Sequence, residues 1–468
     1  MNLLHRLTGI LLLSALLASA FPALDPLFGP SAMALADDDD DDDGDDDSDD
    51  SDDRDDRDDD NSRDRDDDDD DRRRPRADRP NRVAPPAVIP APRPQPLPQF
   101  APEIVVRDMT AEDLLQLLDE GYTVLDAQPL PSASGALIRL AAPPGTALES
   151  ARDRVRLLPS GAEADMNHFY RAGQSQVLAA AVPTPAAPAC SHENCGAWQM
   201  IGWPENRDLR PDCRVTVPVG VMDTGVNLAH DILQGARVEV LPDVLDTRSP
   251  SAAVHGTAVV SLLAGNPGSR VPGLIPEAQI LAVDVFSSAG QDERADVVAL
   301  LRGLDALAAR GVRIVNLSLA GPANTLLESA LARLRAERGM IFVAAAGNGG
   351  PEAAPAYPAA YAGVLAITAV DQRGRPYRQA QRGPHLDAAA PGVNLLAATS
   401  VRGAAAKSGT SFATPFATAA LALYLSRDPA APVEAVEQRL LSQLRDIGAA
   451  GADDIHGGGL LSLTDLCG

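Results

Sequence analysis

The chain has 468 residues, a formal charge of −26 and four cysteines. That length exceeds what a single hydrophobic core holds, so two or three domains are expected. The charge is concentrated: Asp37 to Asp71 carries 26 Asp against 4 Arg, a net of −22, which leaves only −4 for the rest. The acidity therefore describes one segment and not the surface of the folded part, and no nucleic-acid partner is expected.

Residues 1–36 read as a secretory signal peptide. His5 and Arg6 precede an apolar run from Leu7 to Ala20, and small-residue cleavage patterns follow at Ala18-Ser19-Ala20 and Ala34-Leu35-Ala36. Export to the periplasm or the exterior is expected, with no stable membrane insertion once the signal is removed. Residues 37–102 form a disordered segment, Asp-rich and then Arg/Pro-rich. The acidic run repels itself and cannot bury a core. It reads as a solvated spacer; calcium could bind loosely to its carboxylates, but it lacks the glycine turns and ligand order of an EF-hand. Arg72 to Arg82 is basic and complements the acidic run, and Ala84 to Pro102 is a stiff, proline-rich linker.

A compact pattern covers 103–171. Ile104-Val105-Val106 reads as a strand. Thr110 to Asp119 reads as a helix, with Thr110 as N-cap and Asp113 at the capping-box position, where Glu or Gln is usual. Tyr122 to Leu125 and Ala136 to Leu140 read as strands, Thr146 to Leu157 as a helix, and Ala162 to Tyr170 as a last strand. This β-α-β-β-α-β order is that of a ferredoxin-like α+β module. Residues 172–189 are Ala/Pro-rich and read as a linker in which processing is expected, with no particular bond assigned.

From 190 to 468 the chain alternates strands and helices. Strands are predicted at Val215–Met222, Gln279–Phe286, Val312–Leu319, Met340–Ala346 and Gly363–Val370. Pro218 is an awkward residue inside the first. Helices are predicted at His255–Leu263, Glu293–Ala309, Thr325–Glu337, Thr414–Leu425 and Val433–Leu444, with Gly339 as a helix stop. The fold class is α/β, a parallel sheet with helices on both faces. Cys190, Cys195, Cys213 and Cys467 fit two disulfides in an exported chain. Of the three pairings, Cys190–Cys195 with Cys213–Cys467 is favoured: the first is local and the second ties the C-terminus to the core.

Three stretches carry chemistry. Asp223 ends a largely apolar strand before Thr224-Gly225. His255 opens an apolar helix in Val254-His255-Gly256-Thr257. Ser411 stands in Gly409-Thr410-Ser411-Phe412-Ala413-Thr414-Pro415, at a loop-to-helix junction rich in free N–H groups. A serine hydroxyl needs an adjacent base to act as a nucleophile, so an acid, an imidazole and a hydroxyl at the edges of buried elements suit acyl transfer.

With Ala345-Ala346-Gly347-Asn348 as a fourth motif in the same order, the chain resembles the subtilisin-like serine proteases over roughly Ala197 to Leu466. The resemblance implies a serine endopeptidase acting on proteins or peptides, with Asp223, His255 and Ser411 as triad. Asn348 and the Ser411 N–H would hold the oxyanion. Ser318-Leu319-Ala320-Gly321 resembles the strand that pairs with substrate, Ala320 replacing a glycine, and Ala356-Tyr357-Pro358 resembles a wall of the first specificity pocket. Small residues there imply an uncharged pocket for apolar side chains. The module at 103–171 resembles the family's inhibitory propeptide, which makes the chain's own propeptide an expected partner.

Ala258 and Phe412 stand where the family often has His and Met, and neither change removes a catalytic group. No cofactor or metal ligand is assigned, because Ala264 to Pro272 is short and has no carboxylates. The alternative reading is a catalytically silent binding or scaffold protein whose acidic tail binds cations.

Overall fold

The computed structural model describes residues 96–130, 132, 135–173, 191–204, 213–242 and 249–467. The signal-peptide reading, the acidic run, the basic stretch and most of the proline-rich segment lie outside the described residues, as does the linker from residue 174 with Cys190.

The first elements are β1 (Phe100–Arg107), α1 (Ala111–Asp119), β2 (Thr123–Leu130), β3 (Gly135–Ala141), α2 (Leu148–Arg156) and β4 (Asp165–Ala172). β1 lies between β3 and β4, antiparallel to both, and β2 flanks β3. Ile104, Val106, Leu117, Leu140 and Val155 fill the space between sheet and helices. Thr110 caps α1, its Oγ1 accepting the Asp113 N–H at 3.3 Å. The capping box is not completed. Asp113 accepts the N–H and hydroxyl of Ser160 at 2.8 and 2.5 Å, and the Thr110 N–H turns to Ser160 Oγ at 3.0 Å. Aspartate is one methylene shorter than the glutamate that reaches back to an N-cap, so Ser160 supplies the acceptor.

The chain continues through α3 (Cys195–Ile201), β5 (Val219–Asp223), β6 (Val238–Val240), α4 (His255–Ala264), β7 (Ile280–Asp284), β8 (Phe286–Ala289), β9 (Asp292–Asp296) and α5 (Val297–Ala309). After these come β10 (Ile314–Leu317), β11 (Leu319–Ala320), α6 (Thr325–Arg338), β12 (Ile341–Ala345), β13 (Val364–Val370) and β14 (Ala388–Pro391). A hairpin of β15 (Leu395–Ala398) and β16 (Ala404–Lys407), then α7 (Thr410–Arg427) and α8 (Val433–Leu441), complete it.

Seven strands form a parallel sheet in the order β14-β13-β12-β10-β5-β7-β6. From β5 the chain builds outward through β6 and β7 on one side, then returns to add β10 and its neighbours on the other. The carboxyl end of β5 is thus the topological switch point, where open α/β sheets form their clefts. α4, α7 and α8 pack on one face around Val259, Leu263, Phe416 and Leu440. α5 and α6 pack on the other around Leu300, Leu304, Leu327 and Phe342, and Val105, Leu137 and Tyr170 of the first module join that core.

Three element readings are corrected. β5 starts at Val219, not Val215, because Pro218 cannot donate to a ladder. Residues 293–296, expected as the start of a helix, belong instead to β9; Asp296 then caps α5, accepting the Ala299 N–H at 2.9 Å. α7 begins at Thr410, four residues before the predicted start, which places Ser411 inside the helix. Gly339 ends α6 as expected, with φ of +61°.

Polar side chains of β4 meet the first turns of α5 and α6. Asp165 Oδ2 accepts the Thr325 N–H at 2.9 Å, Asn167 Oδ1 accepts the Val298 N–H at 3.3 Å, and Asn324 Nδ2 donates to the Met166 carbonyl at 2.9 Å. Helix starts have N–H groups without intrahelical acceptors, and β4 supplies acceptors to both.

Cys213 and Cys467 form a disulfide, Cα–Cα 5.3 Å, across 254 residues of sequence. Cys195 is also disulfide-bonded, and its expected partner Cys190 lies outside the described residues. Closing so long a loop constrains the unfolded chain, and such a bridge typically contributes about 2–4 kcal/mol. A Cys213→Ser, Cys467→Ser double variant is expected to unfold several degrees lower in calorimetry; an unchanged transition would remove the bridge from the stability of the fold. Among the described residues no helix is long and apolar enough to cross a membrane.

Candidate active site

Asp223 closes β5 and is almost completely buried. Its Oδ1 accepts the Thr224 N–H at 2.7 Å. His255 opens α4 with Nδ1 at 2.8 Å from Oδ1 and 3.0 Å from Oδ2. Beside a carboxylate Nδ1 carries the proton, which leaves the lone pair on Nε2. That Nε2 is buried and has no hydrogen-bond partner among the described residues. A buried ring nitrogen without a partner is costly enough to require a reason. Thr224 Oγ1 accepts the Gly256 N–H at 2.7 Å, tying the turn of the acid to the helix of the imidazole. A side chain at Gly256 would run into the Thr224 carbonyl, which accounts for the glycine after His255.

Ser411 is the second residue of α7 and also buried. Its hydroxyl donates to the Ser318 carbonyl at 3.4 Å and not to His255. Phe412 next to it lies against the His255 ring, centroids 5.4 Å apart. Pro415 has no N–H, so the Ser411 carbonyl loses its helical donor, and Ser318 Oγ donates to it instead at 3.1 Å. Asn316 Nδ2 donates to Ser318 Oγ at 2.8 Å, and Asn316 Oδ1 accepts the Thr418 hydroxyl at 3.1 Å. This buried polar chain fastens the start of α7 to the end of β10.

Asn348 follows β12. Its Oδ1 accepts both the N–H and the hydroxyl of Thr410 at 3.1 Å, and Thr410 Oγ1 in turn accepts the Gly347 N–H at 3.1 Å. With the oxygen engaged, the Nδ2 donors are turned to the cleft beside Ser411. Thr410 was read from sequence only as part of a motif; its orienting contact with Asn348 appears only when residues 62 apart in sequence meet.

The cleft is occupied by the chain itself. β4 runs antiparallel to β11, with Ala172 opposite Leu319 and Arg171 opposite Ala320. On its other edge Tyr170 faces Ala295 and Phe169 faces Asp296 of β9. Of Ser318 to Gly321, the middle pair forms this ladder, and the methyl of Ala320 does not prevent it. Gly321 bonds with Tyr357 instead, at 2.9 and 3.0 Å. A Cβ on Gly321 would lie 2.5 Å from the Tyr170 ring, so this glycine makes room for the tyrosine. Gly173 reaches Asn348 Nδ2 and Ser411: a Cβ there would run into the amide and stand 2.9 Å from Ser411 Oγ. Buried Ala356 lies beside Gly347, and Gln381 fills the space next to Gly347, its Nε2 donating to the Ala354 carbonyl. Gln381 and β9 carried no sequence signal for this site.

Asp284 ends β7 in register with Asp223. Burial pushes its carboxyl up to about 6, against the hydrogen bonds of Ser251. Ser251 Oγ donates to it at 3.0 Å and accepts the Gly225 N–H at 2.6 Å. The raised value means the folded state favours the protonated acid. The contribution to stability is complete below the ordinary carboxylate value of 3.8 and is lost as pH rises through about 6. Asp284→Asn is therefore expected to gain stability relative to the parent between pH 4 and pH 8 in urea unfolding. A difference that does not change with pH would contradict this.

An acid–imidazole pair, a helix-borne serine and an outward amide at the carboxyl edge of this sheet define a subtilisin-like serine endopeptidase, a hydrolase. Residues 215–459, over half of the chain, match the model of the subtilase family, and the chain belongs to that family. It is 30% identical over 247 residues to subtilisin BL of Lederbergia lenta, covering 53% of this chain and 88% of that protein. It is also 30% identical over 246 residues to the minor extracellular protease Epr of Bacillus subtilis, covering 52% of this chain but 37% of the relative. In fold it is similar to fervidolysin from Fervidobacterium pennivorans, a keratinolytic enzyme, with a TM-score of 0.65 at 21% identity, over 79% of this chain and 61% of that one.

Proposed function

We propose that the protein is an exported endopeptidase, made as a zymogen, that cleaves peptide bonds through Asp223, His255 and Ser411. Ser411 Oγ turns from the Ser318 carbonyl to His255 Nε2, loses its proton there and attacks the substrate carbonyl carbon. Asp223 holds the imidazole in the useful tautomer and stabilises the imidazolium. Asn348 Nδ2 and the Ser411 N–H receive the oxyanion. The carbon–nitrogen bond breaks, His255 passes the proton to the leaving amine, and a water molecule then hydrolyses the acyl-enzyme by the same route. Residues 103–171 act as the propeptide, with β4 as its inhibitory strand.

The observation that carries this reading is the antiparallel pairing of β4 with Leu319 and Ala320, which brings Gly173 against Ser411 and Asn348. A chain that presents an extended strand to its own cleft is arranged as a peptide in a protease, and strand addition of this kind supplies affinity through the backbone. Export is supported by the leader-like start and by the extracellular description of one relative.

The test is a biotinylated fluorophosphonate applied to the matured protein, followed by peptide mapping. The expected result is one adduct, on Ser411. Absence of label from protein that has lost its module, or label on another residue, would sink the reading.

A further inference from the structure

A side chain near the reactive position has a partner on the catalytic side. Arg171 lies two residues before Gly173. Its Nε donates to Asp292 Oδ1 at 2.8 Å and its Nη2 to Oδ2 at 3.0 Å. Asp292 opens β9, the strand along the far edge of the cleft, and is only 8% exposed. The Arg171 guanidinium is the first cause holding its carboxyl below the ordinary range. Arg294 Nη1 donates to Oδ2 at 2.9 Å, and the same guanidinium stacks on the Phe169 ring at 3.9 Å. Asp292 thus faces two guanidiniums. Arg294 belongs to the hairpin and stays, whereas Oδ1 is engaged by the incoming strand.

Strand pairing fixes which residue stands at each place. A peptide added between β9 and β11 in the register of β4 has its position opposite Ala320 held where Arg171 is, because the ladder sets the backbone. A planar guanidinium matches a buried carboxylate with two parallel bonds, and neither a neutral nor an acidic side chain does so. The Arg171 bond to the Pro98 carbonyl, 2.7 Å, is made within the first module and would not be made by a peptide. The two bonds to Asp292 would.

We propose that Asp292 is a specificity-determining residue by which this enzyme selects peptide chains carrying arginine two residues before the acyl glycine, as in its own Tyr170-Arg171-Ala172-Gly173. This rests on the endopeptidase reading above and assigns its substrate class. It also assigns the maturation bond: Ser411 Oγ bonds to the Gly173 carbonyl carbon, the bond to the amine of the next residue breaks, that amine takes the proton held by His255, and water releases the Gly173 carboxylate.

The experiment uses matured enzyme, its active sites counted with the fluorophosphonate. Two internally quenched peptides are compared: Phe-Tyr-Arg-Ala-Gly-Gln-Ser-Gln and the same chain with Glu for Arg. The arginine peptide is expected to show a kcat/KM about 10- to 100-fold higher, the range of a paired charged hydrogen bond, and to be cut after Gly. Asp292→Asn is expected to bring the ratio near unity, and Asp292→Arg to invert it. Labelled enzyme that cuts both peptides equally, or cuts neither while hydrolysing casein, would overturn the selectivity and leave the endopeptidase reading standing. Failure to label Ser411 would overturn both. Because the peptide pair on unaltered enzyme decides the matter, a variant that fails to mature does not rescue the proposal.

Discussion

Replacement of Ser411 by alanine is expected to leave the chain uncleaved and to lower peptide hydrolysis by about 10⁶-fold, the loss seen when a subtilisin loses its nucleophile. The fold should survive the change. The hydroxyl makes one long bond, 3.4 Å, to the Ser318 carbonyl, and the polar chain through Ser318 Oγ engages the backbone of residue 411 and not its side chain. Loss of one such bond costs about 1 kcal/mol or less. Intact mass should therefore show the first module still joined to a folded enzyme. Cleavage or hydrolysis at the parental rate in this variant would remove Ser411 from the mechanism.

Asn348→Ala is the second large effect. Removing one oxyanion donor costs about 10²–10³ in kcat, a figure that itself comes from a subtilisin. Beyond the donor role proposed for it, the amide also accepts: its Oδ1 takes two hydrogen bonds from Thr410, at the start of the helix carrying Ser411. Asn348→Asp separates the two roles. It keeps an acceptor for Thr410 and puts negative charge where the oxyanion forms. If the donor matters, the aspartate variant loses at least as much kcat as the alanine variant, with KM nearly unchanged in both. A largely active Asn348→Asp enzyme would show that Asn348 serves only to position the helix.

Much of the fold was legible because its strands are buried on both faces. Residues 219–222, 341–345 and 364–367 are unbroken apolar runs, and such runs flanked by long helices admit few arrangements. Two short strands carry no signal of their own. β6 has three residues, and β14 reads Ala-Ala-Ala-Pro, which carries no strand signal by itself. Glu293-Arg294-Ala295-Asp296 has good helix formers and reads as the start of a helix, and the ladders with β8 and β4 override that propensity.

The residue types at the site, and their order, were determined along the chain: an acid ending a strand, a histidine opening a helix, a serine before an apolar helix and an asparagine after a strand. These are local signals, since each depends on the few residues around it. What only the tertiary structure decided is which groups face one another. The Asp223–His255 contact, the Thr410 hold on Asn348, the Arg171–Asp292 pair and the presence of Gly173 at Ser411 all join residues far apart in sequence. No local pattern encodes such contacts, because they arise from the register of strands that meet only after the sheet and the first module have packed together.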